Sequence, residues 1–208
     1  MTPRGTTLNH GLSNRTGKLG KRVWSFSLPR VATCPGMSQW CRESCYMAKL
    51  ERMYKTMLAS YHENFENAAV ETKALRAAIL EKIPKIRNLR AIRIHVDGDF
   101  FNAGYVRMWA SIAVALPETR FYAYTRSWRV KRLRKSLETL RAVPNFTLWA
   151  STDPTTEDPP AEWRTAWIDG DDRATGPICP EQRGKKADCG ECGLCVETKL
   201  RNIRFVTH

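Results

Sequence analysis

Apolar and polar positions first alternate with a period of two, from Val23 to Leu28 (Val23, Trp24, Ser25, Phe26, Ser27, Leu28), and Pro29 stops the run. That is the pattern of a short β-strand. From Tyr46 the period lengthens: Met47, Leu50, Met53, Met57 and Leu58 recur at helical spacing, and a second helical run covers 64–83 and ends before Pro84. A short apolar run over 91–96 is broken by Asp97-Gly98-Asp99. The stretch 105–116 is helical in pattern, 121–124 reads as a strand, Val130, Leu133, Leu137 and Leu140 mark a helix, and 146–150 reads as a strand again. Strands alternating with helices predict an α/β fold with right-handed crossovers, a partial (β/α) barrel or an open parallel sheet. The pattern divides the chain into a basic N-terminal arm (1–22), an α/β core (23–170) and a small Cys-rich, metal- or cluster-binding C-terminal segment (171–208) packed on the core.

Composition narrows the classes. The polar, basic N-terminus has no apolar signal-peptide segment, and no stretch approaches the ~18 apolar residues that a membrane span needs. The expectation is a soluble cytoplasmic protein with no membrane partner. Its 208 residues carry a formal net charge of +13, which points to a polyanionic partner, nucleic acid above all. The face of the 128–141 helix opposite its leucines holds Arg129, Lys131, Arg132, Arg134, Lys135 and Arg141, a stripe able to track phosphates, with the N-terminal arm beside it. A merely solvated helix face is the alternative.

Seven cysteines fall into two groups, Cys34, Cys41 and Cys45 near the front, Cys179, Cys189, Cys192 and Cys195 near the back. In a reducing compartment, clustered thiols are more often metal ligands than disulfides. Three thiolates hold three irons of a [4Fe–4S] cluster and leave the fourth open to substrate or to a cofactor such as S-adenosylmethionine. Four close a site, as a second [4Fe–4S] cluster or as Zn²⁺. One or two clusters are therefore expected, with zinc as the alternative at the rear. The front thiols are alternatively buried small hydrophobes, or zinc ligands together with His62 or His95. Trp40 and Tyr46 are placed to screen a cluster or simply to fill the core.

Ligands in such folds bind at the carboxyl ends of the strands. The residues following the predicted strands are Asp97, Gly98 and Asp99, then Thr125, Arg126 and Ser127, then Ser151, Thr152 and Asp153. The front cysteine loop also follows a strand, and placing Cys179 after a further one would put every group on one rim. Asp97, Asp99 and Arg126 are the candidate catalytic residues; Gly98, Thr125, Ser127, Ser151 and Asp153 are candidate cofactor contacts. Paired carboxylates bind an amine or shift each other's pKa, though a hydrogen-bonded turn also accounts for them. Arg126 and Arg129 suit bidentate capture of a phosphate or carboxylate. His95, inside an apolar run, reads as a core histidine.

Asn14-Arg15-Thr16-Gly17-Lys18, the Cys34-Pro35 … Cys41 … Cys45-Tyr46 loop, the segment from Arg93 to Phe100, Tyr124-Thr125-Arg126-Ser127 and the Cys-rich end together resemble the phage and plasmid gene product 88 family. The resemblance runs over most of the chain and implies kinship without an activity. The loop ending in Cys-Tyr is also similar to that of radical S-adenosylmethionine-like phage proteins with a partial (β/α) barrel. That likeness implies that Asp97, Gly98 and Asp99 sit where such enzymes bind the cofactor's amino group. The Gly-Gly-Glu of those enzymes is absent, and the usual Cys, three residues, Cys, two residues, Cys is here six and three. The expected function is a radical S-adenosylmethionine-like iron–sulfur enzyme with an external electron donor. The alternative is a zinc-stabilised, non-catalytic nucleic-acid-binding protein.

Overall fold

The computed structural model describes residues 8–197 and 201–207. Six strands form one sheet: β1 (Val23–Phe26), β2 (Ala91–Ile94), β3 (Phe121–Thr125), β4 (Phe146–Ser151), β5 (Arg164–Ile168) and β6 (Asn202–Phe205). Their order in space follows the chain and every neighbouring pair is parallel. β6 does not pair with β1, so the sheet stays open as a partial (β/α) barrel.

Helices α1 (Gln39–Glu43), α2 (Met47–Met53), α3 (Lys55–Val70) and α4 (Thr72–Lys82) carry the chain from β1 to β2. The next two crossovers use α5 (Ala103–Ala115) and α6 (Lys131–Arg141), whereas β4 and β5 are joined by a helix-free loop. The return from β5 to β6 holds two single-turn helices, α7 (Cys189–Cys192) and α8 (Leu194–Glu197).

The two-residue period sorts the strand side chains onto two faces. Phe26, Ile92, Ile94, Phe121, Ala123, Phe146 and Leu148 point outward and pack with residues of α4, α5 and α6 such as Leu75, Ile79, Trp109, Ile112 and Leu137. Phe26 and Trp109 meet edge to face at 5.4 Å between ring centroids. Burying each such side chain contributes about 1.5–3 kcal/mol. Val23, Ala91, Tyr122, Trp149, Ala166 and Ile203 point inward, where Leu19, Val196 and several cysteines cover them.

Several boundaries differ from those the sequence suggests. β2 stops at Ile94 because His95 takes a left-handed backbone, φ 68°, which turns the chain out of the sheet. The expected pair of helices after Tyr46 is three, broken at Tyr54 and Glu71, where ψ swings to 78° and 35°. The expected helix over 128–141 is a 3-10 turn, Ser127–Arg129, followed by α6 after the extended Val130. β5 and β6 are additional strands, so the Cys-rich segment both packs on the core and contributes to its sheet. Ser13 bridges Ser25 antiparallel and covers the β1 edge. Among the described residues no helix is long and apolar enough to cross a membrane.

Candidate functional site

The front cysteine loop leaves β1 and is fastened to the carboxyl ends of the other strands. Ser38 caps α1 by accepting a hydrogen bond from Cys41 N (3.0 Å), and its hydroxyl donates to Asp153 Oδ2 (2.7 Å), just past β4. Asp153 is fully buried and also ion-pairs with Arg126. Burial opposes its charge, but hydrogen bonds from Thr155 and Ser38 and the Arg126 cation hold its carboxyl below the usual range. Gly36 lies so close to the backbone of Arg126 that a Cβ would fall 2.1 Å from its carbonyl oxygen. Any side chain there would lift the loop off β3.

Asp99 is the fastening at the end of β2. Its carboxylate accepts from Thr125 Oγ1 (2.6 Å), Phe100 N (2.6 Å), Arg126 N (2.8 Å) and Ser127 N (3.1 Å). Both oxygens are thus occupied, and burial still raises its pKa. Asp99 and Asp97 do not pair with each other. Asp97 faces Glu51, which Arg30 holds through Nε (2.9 Å) and its backbone N (3.1 Å). Asp97 Oδ2 is buried without a donor, so burial and the opposed carboxylate push its pKa up to about 8. Gly98 takes φ 80°, and a Cβ there would strike Leu28 and Thr33.

Of the rear cysteines, Cys179 follows Ile178, which bridges Arg204 of β6 in parallel, while the segment around Cys189 and Cys195 lies elsewhere. Trp149 Nε1 donates to Cys195 O (3.0 Å), Thr147 Oγ1 to Val196 O (3.2 Å) and Arg90 Nη1 to Gly190 O (2.6 Å). These contacts set the segment against the inner face, toward the amino ends of β1, β2 and β4. Asp188 caps α7 by accepting from Glu191 N (2.7 Å), and Gly193 ends it with a left-handed φ of 64°.

Front and rear groups border one cavity of about 1190 Å³, lined by Cys41 and Cys45 from one side and by Cys179, Cys189, Cys192 and Cys195 from the other. Arg126 and Ser151 reach the same cavity. Cys34, Asp97, Gly98, Asp99, Thr125, Ser127 and Asp153 stand behind its wall. Within each group the thiols feel one another: Cys41 acts on Cys34 and Cys45 on Cys41, while Cys179 and Cys189 act on Cys195. Burial raises Cys34 and Cys41, pushes Cys189 up to about 11 and Cys195 to about 12, with Tyr124 hydrogen-bonding Cys195 and partly offsetting the rise. Such thiols remain protonated at neutral pH, which argues against a free thiolate nucleophile. Among the described residues, no three His, Cys, Asp or Glu side chains form a set that could hold a metal ion.

Sequence reading passed over Arg93, Tyr122 and Tyr124 as site residues, although all three line the cavity. The available signal was a lone charge in a short apolar strand, Ala91-Ile92-Arg93-Ile94. His95 is 3% exposed as expected of a core residue; its Nε2 meets Tyr105 Oη at 2.9 Å and its Nδ1 lacks a partner. On α6, Lys131, Arg132, Arg134 and Lys135 are exposed, Arg134 also bonding Trp128 O, while Arg141 turns to Glu138.

Comparison with known proteins agrees with the likeness seen in the motifs. The chain is similar to the Gene 88 protein of Mycobacterium phage L5, at 28% identity over 84% of this chain and 82% of the relative. It is similar to the Gene 88 protein of Mycobacterium phage D29 at 26% identity, with the same coverage. No solved structure matches it. The model of the family described as Gene product 88 matches residues 4–198, and the chain belongs to that family.

Proposed function

We propose that this protein is an iron–sulfur enzyme of the radical S-adenosylmethionine type. The observation that carries the reading is one cavity, on the inner face of an open parallel sheet, bordered by two thiols of the front loop, with Cys34 behind its wall, and by the four rear thiols. Cys34, Cys41 and Cys45 would hold a [4Fe–4S] cluster with one open iron, and the rear four a closed auxiliary centre. Thiolates of a cluster bind separate irons, so their set is wider than that around a single ion. Cys41 lies within electrostatic reach of Cys34 and of Cys45, and Cys179, Cys189 and Cys195 of one another, which suits that wider set.

A cluster held by Cys34, Cys41 and Cys45 would supply the electron for reductive cleavage of S-adenosylmethionine. The protein's own part is placement. The Ser38–Asp153–Arg126 chain holds the loop in position, and the Arg126 cation favours ionisation of Cys41. Ser151 and Arg126 offer the cofactor a hydroxyl and a guanidinium at the cavity wall. Asp99 has both oxygens filled by four donors, so it is given no cofactor contact here.

The test is anaerobic purification followed by iron, acid-labile sulfide and zinc analysis with an absorption spectrum. About eight iron and eight sulfide per chain are expected for two clusters, with S-adenosylmethionine cleaved under reduction and cleavage abolished by Cys41→Ala. Zinc without sulfide sinks this reading. It would favour a structural ion at the rear, with Lys131, Arg132 and Lys135 as a phosphate-tracking surface.

A further inference from the structure

Arg93 projects from β2 onto the inner face, with Ser25 of β1 and Tyr122 of β3 as its cross-strand neighbours. Its Nε donates to His95 O (3.0 Å), and its guanidinium carbon lies 5.2 Å from the centroid of the Tyr124 ring. It feels Tyr46 of the front loop and Cys189 of the rear group alike, so it stands between the two sets of thiols. Among the described residues no carboxylate pairs with Arg93 and neither Nη group has an acceptor. A guanidinium cannot shed its proton, and leaving one in a cavity without a counterion is costly.

The rest of the lining points the same way. Arg15, Lys18, Lys82, Arg93 and Arg126 face the cavity against one carboxylate among the described residues, Glu181. Two of those cations already have a carboxylate, Arg126 with Asp153 and Lys18 with Glu181 at 3.1 Å, and Lys82, over the Trp24 ring at 5.3 Å, is a single ammonium and not a fork. Arg15 is exposed on the N-terminal arm. Among the described residues Arg93 is therefore the interior guanidinium without a carboxylate, and Tyr46, Tyr122, Tyr124 and Phe205 wall the same cavity.

We propose that the cavity takes a small anionic ligand whose carboxylate or phosphate is held by the two Nη groups of Arg93, between the front and rear cysteines. The tyrosine wall suits a planar or apolar body attached to that anion. The inference deepens the iron–sulfur reading by naming a ligand class, and rests on the same cavity, but the ion pair itself needs no metal. The anion could belong to a substrate or to the carboxylate of S-adenosylmethionine.

Calorimetric titration of protein as purified, with its metal content determined, separates the cases. The probes are benzoate, phenyl phosphate, neutral benzamide and S-adenosylmethionine. Wild type is expected to prefer benzoate or phenyl phosphate over benzamide by at least roughly tenfold, the scale of a hydrogen-bonded charge pair. Arg93→Gln should erase that preference. Arg93→Lys, which keeps the charge but not the fork, should retain part of it. If Arg93→Gln fails to fold, the benzoate-to-benzamide ratio in wild type and the Arg93→Lys result decide alone. Loss of S-adenosylmethionine binding in the Arg93 variants identifies the cofactor as the anion's source; its retention, with phenyl phosphate lost, identifies the substrate. Equal affinity for benzoate and benzamide in wild type, or affinities indifferent to Arg93, overturns the inference. Charge-selective binding in protein lacking iron sinks the iron–sulfur reading alone, and indiscriminate binding in iron-loaded protein sinks this one alone.

Discussion

The two faces of the sheet are built on different chemistry. The outer face is sealed by three helices that bring Leu75, Ile79, Trp109, Ile112, Leu133 and Leu137 onto Phe26, Ile92, Phe121 and Leu148. The inner face is covered by an irregular segment whose contribution is largely sulfur and backbone, with Cys179, Cys189 and Cys195 against Tyr122, Tyr124 and Trp149. The first needs nothing beyond the chain, because burial of apolar area drives it. The second places raised-pKa thiols, an uncompensated guanidinium and a large cavity on one side of the same strands. Apolar packing and the charged and sulfur-bearing groups are thus divided between the faces, and a strand such as β2 serves both, with Ile92 and Ile94 outward and Arg93 inward.

That division is open to a paired experiment on two tryptophans that are equally buried, both 0% exposed. Trp109→Ala empties the outer core and should cost about 3–5 kcal/mol in urea unfolding. The cost should be the same in metal-loaded and chelator-treated protein. Trp149→Ala should cost a similar amount in loaded protein, but less after chelation, by about 1 kcal/mol, since its bond to Cys195 O depends on the order of the rear segment. Equal chelator sensitivity at the two positions would abolish the distinction between the faces.

The faces also differ in how far the sequence discloses them. β1, β3, β4, α5 and α6 are legible because regular elements on an apolar core impose a period of two or 3.6 on their residues. β5, Arg-Thr-Ala-Trp-Ile, is short and follows a loop where the alternation of strand and helix lapses, so no helical period frames it. The strand-end residues 97–99, 125–127 and 151–153 do converge, because parallel order puts every carboxyl end on one edge. What the spacing could not disclose is which of them face the cavity and which hold the scaffold. Asp99 is used in joining the end of β2 to the end of β3 and Asp153 in joining the front loop to the end of β4, whereas Arg126 and Ser151 reach the interior. Nor could local spacing show that Asp97 pairs with Glu51, 46 positions away in the chain and on α2, instead of with Asp99.

The Asp97–Glu51 contact gives a smaller effect than either tryptophan truncation, and its sign is opposite to that of a salt-bridged carboxylate. Folded, Asp97 keeps its proton up to about pH 8, because burial and Glu51 disfavour the anion, whereas a free aspartate side chain loses it near 3.8. Between those values the folded state binds more protons than the unfolded one. Stability therefore falls as pH rises through this window, by at most about 1.4 kcal/mol per pH unit. His95 works the other way: burial and Arg93 lower it from 6.5 to about 3, so its contribution grows with pH between those limits and is complete above the upper one. The two slopes oppose each other up to about pH 6.5 and leave the Asp97 decline exposed from there to about 8. Urea midpoints of wild type should fall across that last interval, while those of Asp97→Asn, which cannot ionise, should stay level. A slope that survives in Asp97→Asn would assign it to another group and leave the carboxyl pair a packing contact, so the outer rim of the site would carry no stored charge repulsion.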